Sequence, residues 1–210
     1  PLVNVLIPIL SVSEEGRRRA ETWTVFFIVT TFALVVALGF VALASLWVPL
    51  LLPGLKGELL QLAVELARVQ TFGLVMSSQY AVVWAYSHAQ KRFLATELAL
   101  VSSHIIGLVV RYFAVQTFGI RGAAWTNVFR PLSQVAFLIP ALGMPVRPDF
   151  SSPVVKEGWR RLRPLLLGAI YFKSEVLVDR LLSSLASAGG LSLFFFARQL
   201  YNAANGILSK

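Results

Sequence analysis

"TWTVFFIVTTFALVVALGFVALASLWVPLL", residues 22–51, runs for thirty residues without a charged side chain. A helix needs roughly 20 mostly apolar residues to cross the hydrocarbon core of a bilayer. This stretch therefore predicts a membrane span with length to spare for tilt. Its flanks carry the punctuation of a span: the basic "SEEGRRRAE" (13–21) before it and the Pro–Gly turn "PGLKGE" (53–58) after it.

The whole composition agrees with that stretch. Of 210 residues, 57% are hydrophobic and only 14% charged, with mean hydropathy +0.72. Soluble domains carry nearer one quarter charged residues, so the solvent of this chain is lipid. The net charge of +9 invites nucleic acid as a partner. The basic residues are scattered among apolar runs and form no basic face with interleaved aromatics, which argues against it. With no cysteine and two distant histidines, neither a disulfide framework, a thiolate metal site nor any other cofactor centre is expected. No nucleophile–base pair, His–carboxylate cluster or Gly-rich phosphate loop points to an enzyme.

Working outward along the chain, further spans are expected at 69–87, 94–115, 122–142, 164–185 and 190–209, with a short apolar stub at 1–10. Long continuous runs exclude the short alternating strands of a barrel. The expectation is an all-α, polytopic transmembrane helix bundle, a piece of a longer membrane protein. Lys and Arg are divided unequally between alternate loops. Ten (Arg17, Arg18, Arg19, Lys91, Arg92, Arg147, Lys156, Arg160, Arg161 and Arg163) fall on one side; four (Lys56, Arg68, Arg111 and Arg121) fall on the other. The positive-inside rule puts the richer side in the cytoplasm. There "GMPVRPDFSSPVVKEGWRRLR" (143–163), with three prolines and a basic, Trp-containing end, makes a natural linker between two bundles.

Charges within the spans are the candidate functional groups, because each costs at least about 2.5–3.5 kcal/mol at mid-bilayer unless it faces protein or water. They are Arg130, Lys173, Glu175, Asp179, Arg180 and Arg198. Asp179 and Arg180 fall toward the outer end of their span, where a structural pair at the rim and a working site are both open readings. Arg198 lies about 12 Å into its helix at 1.5 Å per residue. Arg130 lies at similar depth and is followed by Pro131, which is expected to kink its helix. Arginine presents five donors in a fork that matches phosphate. For Arg198 the alternatives are an anion site and an ion pair with Glu175 or Asp179. Ser77, Ser78, Gln79 and Ser102 could add hydrogen bonds to a polar ligand.

The order of "VNVLIPIL" (3–10), "LLPGLKGE" (51–58), "YSHAQKRF" (86–93), "FGIRGAAWTNVFRPLSQVAFLIPALG" (118–143) and "RPLLLGAIYFKSEVLVDRLLSSLASAGGLSLFFFARQL" (163–200) resembles the MurJ/MviN lipid II flippase family. That family sits within the multidrug/oligosaccharidyl-lipid/polysaccharide exporter superfamily. The resemblance implies a two-lobe exporter-type fold. Residues 1–142 would belong to the N-terminal lobe, from the end of the second family helix to the sixth. Residues 143–163 would be the cytoplasmic linker, and 164–210 the start of the C-terminal lobe. It implies a bacterial cytoplasmic (inner) membrane protein that flips a polyprenyl-pyrophosphate-linked cell-wall precursor by alternating access. Its partners would be that lipid-linked glycan, the surrounding membrane lipids and other cell-wall synthesis proteins. Arg198 matches one of the family's cavity arginines, and Arg130 is expected to line the same cavity. Lys173, Glu175, Asp179 and Arg180 are expected either there or in ion pairs. The acidic residue that often precedes the arginine is Ala197 here. An exporter of another lipid-linked polysaccharide, or a non-transporting scaffold of the same fold, are the alternative readings.

Overall fold

The computed structural model describes residues 2–150, 152–185 and 190–208. Every regular element among them is a helix. These are α1 (Leu2–Val12), α2 (Glu15–Ala42), α3 (Ala44–Leu51), α4 (Gly57–Ala89), α5 (Phe93–Leu142), α6 (Pro153–Ser184) and α7 (Gly190–Leu208). A helix satisfies its own backbone groups, which is what a bilayer demands. The hydroxyls buried with it bond back to the preceding turn, as Thr22, Thr24, Thr71, Ser87 and Ser103 do to the carbonyls of Arg18, Ala20, Ala67, Val83 and Ala99.

The stretch 22–51, expected as one span, is divided at Leu43 into α2 and α3. The break is one residue wide. Leu43 and Trp47 still donate to the carbonyls four residues back, Gly39 and Leu43. The Phe40 carbonyl, whose regular partner would be the Ala44 amide, accepts instead from the Trp47 indole at 2.9 Å. A side chain thus fills the gap in the ladder.

α5 is a helical hairpin. At Gly119 the backbone takes φ 59, ψ −137, a conformation open to glycine alone. The two arms, 93–118 and 120–142, return side by side. A Cβ at Gly122 would collide with the Ala114 carbonyl, and Arg111 bonds across to Thr126 (3.1 Å) and to the Asn127 side chain. Arg121, just past the reversal, forks onto Glu65 of α4 at 2.8 and 2.9 Å. The dihedrals remain helical through Pro131, which is buried within the second arm. The departure from helical geometry comes at the glycine instead of the proline.

The turn from α4 into α5 uses a Schellman arrangement. Lys91 is left-handed (φ 59) and its amide donates to His88, while Arg92 reaches the Ser87 carbonyl, both at 2.9 Å.

The main core lies at the arginine-rich end. Leu6 and Leu10 of α1, Trp23 and Phe26 of α2, Val82, Val83 and Tyr86 of α4, Leu138 and Leu142 of α5, and Val154 of α6 form one buried cluster there. A much smaller cluster, Ala33, Ala37 and Val75 with Met76, joins α2 and α4 further along. Small residues let these helices approach; a Cβ at Gly73 of α4 would touch Val128 of α5 at 3.7 Å.

Three consecutive arginines are engaged at this end, one within α2 and two across to other segments. Arg17 pairs with buried Glu21 at 2.9 Å. Arg18 donates to the Leu10 and Ser13 carbonyls at the end of α1, both at 2.7 Å. Arg19 reaches across to the Met144 carbonyl beyond α5, also at 2.7 Å. The expected linker 143–163 is irregular only in its first half. From Pro153 it is helical and continues unbroken into α6, proline being well suited to the first helical position.

Among the described residues, three helices are long and apolar enough to cross a membrane: α2, α4 and α5. Because α5 doubles back, these contain four of the six expected spans. The last two correspond to α6, which is more polar than these three, and to α7, which is not.

Candidate functional site

α6 packs against α1 and α7, and this junction brings the two central candidates together. Arg198, in the third turn of α7, follows Phe194, Phe195 and Phe196. Its Nη1 donates to Asp179 Oδ2 of α6 at 2.7 Å. The side chains are 32% and 31% exposed, so neither charge is sealed inside protein. The distance is that of a charge-assisted hydrogen bond. Only one guanidinium donor is engaged by a described atom; the remaining four N–H groups point to no described acceptor. Among the described residues, the arrangement is a cation held in place by one carboxylate.

Of the two expected partners for Arg198, the described one is Asp179. The side chains of Lys173, Glu175 and Arg180 lie outside the described residues, although their backbone belongs to α6.

Arg130 lies in the second arm of α5 and is exposed. Its stem runs over Gly107 of the first arm, where a Cβ would meet Arg130 Cγ at 3.8 Å. The Arg130 carbonyl accepts from the Ser133 hydroxyl at 2.7 Å, but the guanidinium has no hydrogen bond or ion pair among the described residues. Such a group at bilayer depth needs water or an anion. His104, three residues from Gly107, shares a 2.7 Å hydrogen bond with the Leu100 carbonyl through Nδ1.

Two of the polar residues considered for contacts to a polar ligand have internal partners. Gln79 donates to Thr30 of α2 at 3.3 Å, and Ser78 to its own Val75 carbonyl at 2.7 Å. Ser77 is exposed and Ser102 half-buried. Arg111 and Arg121 were read only as loop charges, yet Arg111 fastens the α5 hairpin and Arg121 ties it to α4. Their spacing carries no trace of this, since the partners come from the other arm of α5 and from α4.

Compared with known proteins, the chain matches one family model, lipid II flippase MurJ, over residues 1–210. No curated protein matches it.

Proposed function

The chain belongs to the lipid II flippase MurJ family, and from that membership we propose how its own residues take part in moving lipid II. The family is one of membrane transporters, and its substrate is a lipid-linked precursor. The polyprenyl tail stays in lipid while the pyrophosphate–sugar head passes between two lobes. Residues 1–142 contribute to one lobe and 164–210 begin the other. Arg198 is the diphosphate ligand. In the resting state Asp179 holds its guanidinium against the cost of an unpaired charge. An arriving diphosphate brings more negative charge than one carboxylate and can take the N–H donors that no described residue engages, so the head group competes for the arginine without first having to break the pair.

Arg130 supplies a second cation for the same head group, on the hairpin of the first lobe. α6 carries Lys173, Glu175, Asp179 and Arg180 within its expected span, and a helix so charged suits a water-filled path better than a lipid-facing wall. We place the chain as a multi-pass protein of the bacterial inner membrane, among the enzymes that make and consume lipid II.

The observation that carries this reading is the family match over the whole chain. Complementation tests it: the protein is expressed in cells depleted of their own flippase, and lipid II exposed at the outer face is measured. Failure of well-expressed, correctly inserted protein to restore either growth or exposed lipid II would sink it.

A further inference from the structure

An apolar groove is formed where the first turns of α6 cross α1 and α2. Val155, Gly158, Trp159 and Leu162 of α6 face Leu2, Val5 and Leu6 of α1 and Val25, Ile28 and Val29 of α2 across a groove of about 230 Å³. The groove is apolar along its length, and Gly158 leaves it open: a Cβ there would meet nothing within 4 Å. Trp159 stands at the mouth, 51% exposed.

The same turns of α6 carry a cationic rim. Lys156, Arg160, Arg161 and Arg163 surround a single carboxylate, Glu157. Arg160 and Arg161 pair with that carboxylate at 2.8 and 2.6 Å. The hydrogen bonds from Arg161 and Arg160 hold Glu157 below its usual carboxylate value, so it stays ionised. Four cations against one anion leave a rim charge of +3. Arg163 lies over the Trp159 ring, 5.4 Å from its centre, which fixes a guanidinium directly at the groove mouth.

An apolar slot, an aromatic at its entrance and an excess of guanidinium groups around it match one ligand chemistry: a chain-bearing molecule with an anionic phosphate head. We propose that this groove binds an anionic phospholipid of the arginine-rich leaflet, one acyl chain lying against Gly158 and the phosphate on the Arg160–Arg163 rim. The site is separate from Arg198 and does not depend on how lipid II is bound.

Quenching of Trp159 tests it. The protein is reconstituted in vesicles containing either brominated phosphatidylglycerol or brominated phosphatidylcholine at equal mole fraction. The Trp159 component is isolated by subtracting the Trp159→Phe variant. The expected result is stronger quenching by the phosphatidylglycerol, with an apparent preference of about fivefold, the effect of one basic residue near an anionic lipid surface. A variant with Arg160→Gln, Arg161→Gln and Arg163→Gln should lose the preference while still being quenched by both lipids. Gly158→Leu, which fills the slot without a clash, should reduce quenching by both. Equal quenching of the unaltered protein by the two lipids would leave Trp159 merely facing bulk lipid, and absence of quenching would mean that protein covers the groove; either result overturns the proposal.

Discussion

Arg198 and Asp179 meet across α6 and α7 at 2.7 Å. Asp179 is five residues before the end of α6 and Arg198 eight beyond the start of α7. The pair makes the two roles of Arg198 separable. If it serves only Asp179, neutralising both partners together should restore what neutralising one destroys. If it holds diphosphate, Arg198→Ala should abolish complementation, Arg198→Lys should keep a part because charge survives without the fork, and Asp179→Asn should be milder than either. Adding Asp179→Asn to Arg198→Gln should rescue nothing. Growth and exposed lipid II, normalised to protein level, decide between the two.

Arg130 has no such partner, so its prediction differs in sign. Arg130→Leu should leave the protein inserted and at least as stable, because no described ion pair is lost. It should reduce transport by about 10- to 100-fold, the range set by about 1.5–3 kcal/mol for a hydrogen bond to a charged group. Transport at the original rate would return Arg130 to the status of a tolerated charge.

The hairpin of α5 depends on two glycines for different reasons. Gly119→Ala forces a side chain into a backbone conformation costing about 1–3 kcal/mol. Gly122→Ala drives a Cβ into the Ala114 carbonyl, and overpacking of that kind costs about 1–3 kcal/mol. Both should lower the melting temperature in detergent, whereas Gly39→Ala, where a Cβ meets nothing, should not.

Orientation is open to labelling, since the chain has no cysteine of its own. Met144→Cys, at an 81% exposed position, should react only with membrane-permeant reagent. Lys56→Cys, exposed at the opposite end, should react with impermeant reagent added outside intact cells. The reverse pattern would invert the bundle.

The helices were legible because bilayer helices announce themselves by length and apolarity, and the α5 reversal because glycine and polar residues interrupt 116–122. The second half of 143–163 was not legible as helix. Pro145 and Pro148 argue for irregular chain, and only their distance from Pro153 lets a helix start there. Glu175 and Asp179 were both open as ion-pair partners of Arg198, and which of them meets it depends on how α6 and α7 are rotated about each other. The arginines at 17–19 showed a charge excess, yet the destinations of Arg18 and Arg19 depend on where α1 and α5 end in space.

The unequal placement of the core has a mechanical consequence. With its main buried cluster and the Arg17–Arg19 contacts at one end, the bundle is stiff there and slack at the other, like a hand held at the wrist. Thermal motion should therefore take the form of spreading fingers about a fixed base, and amide exchange should rise from Val82–Ala89 toward Ala44–Leu51. An element built this way can widen at one face of the membrane while its opposite face keeps its shape.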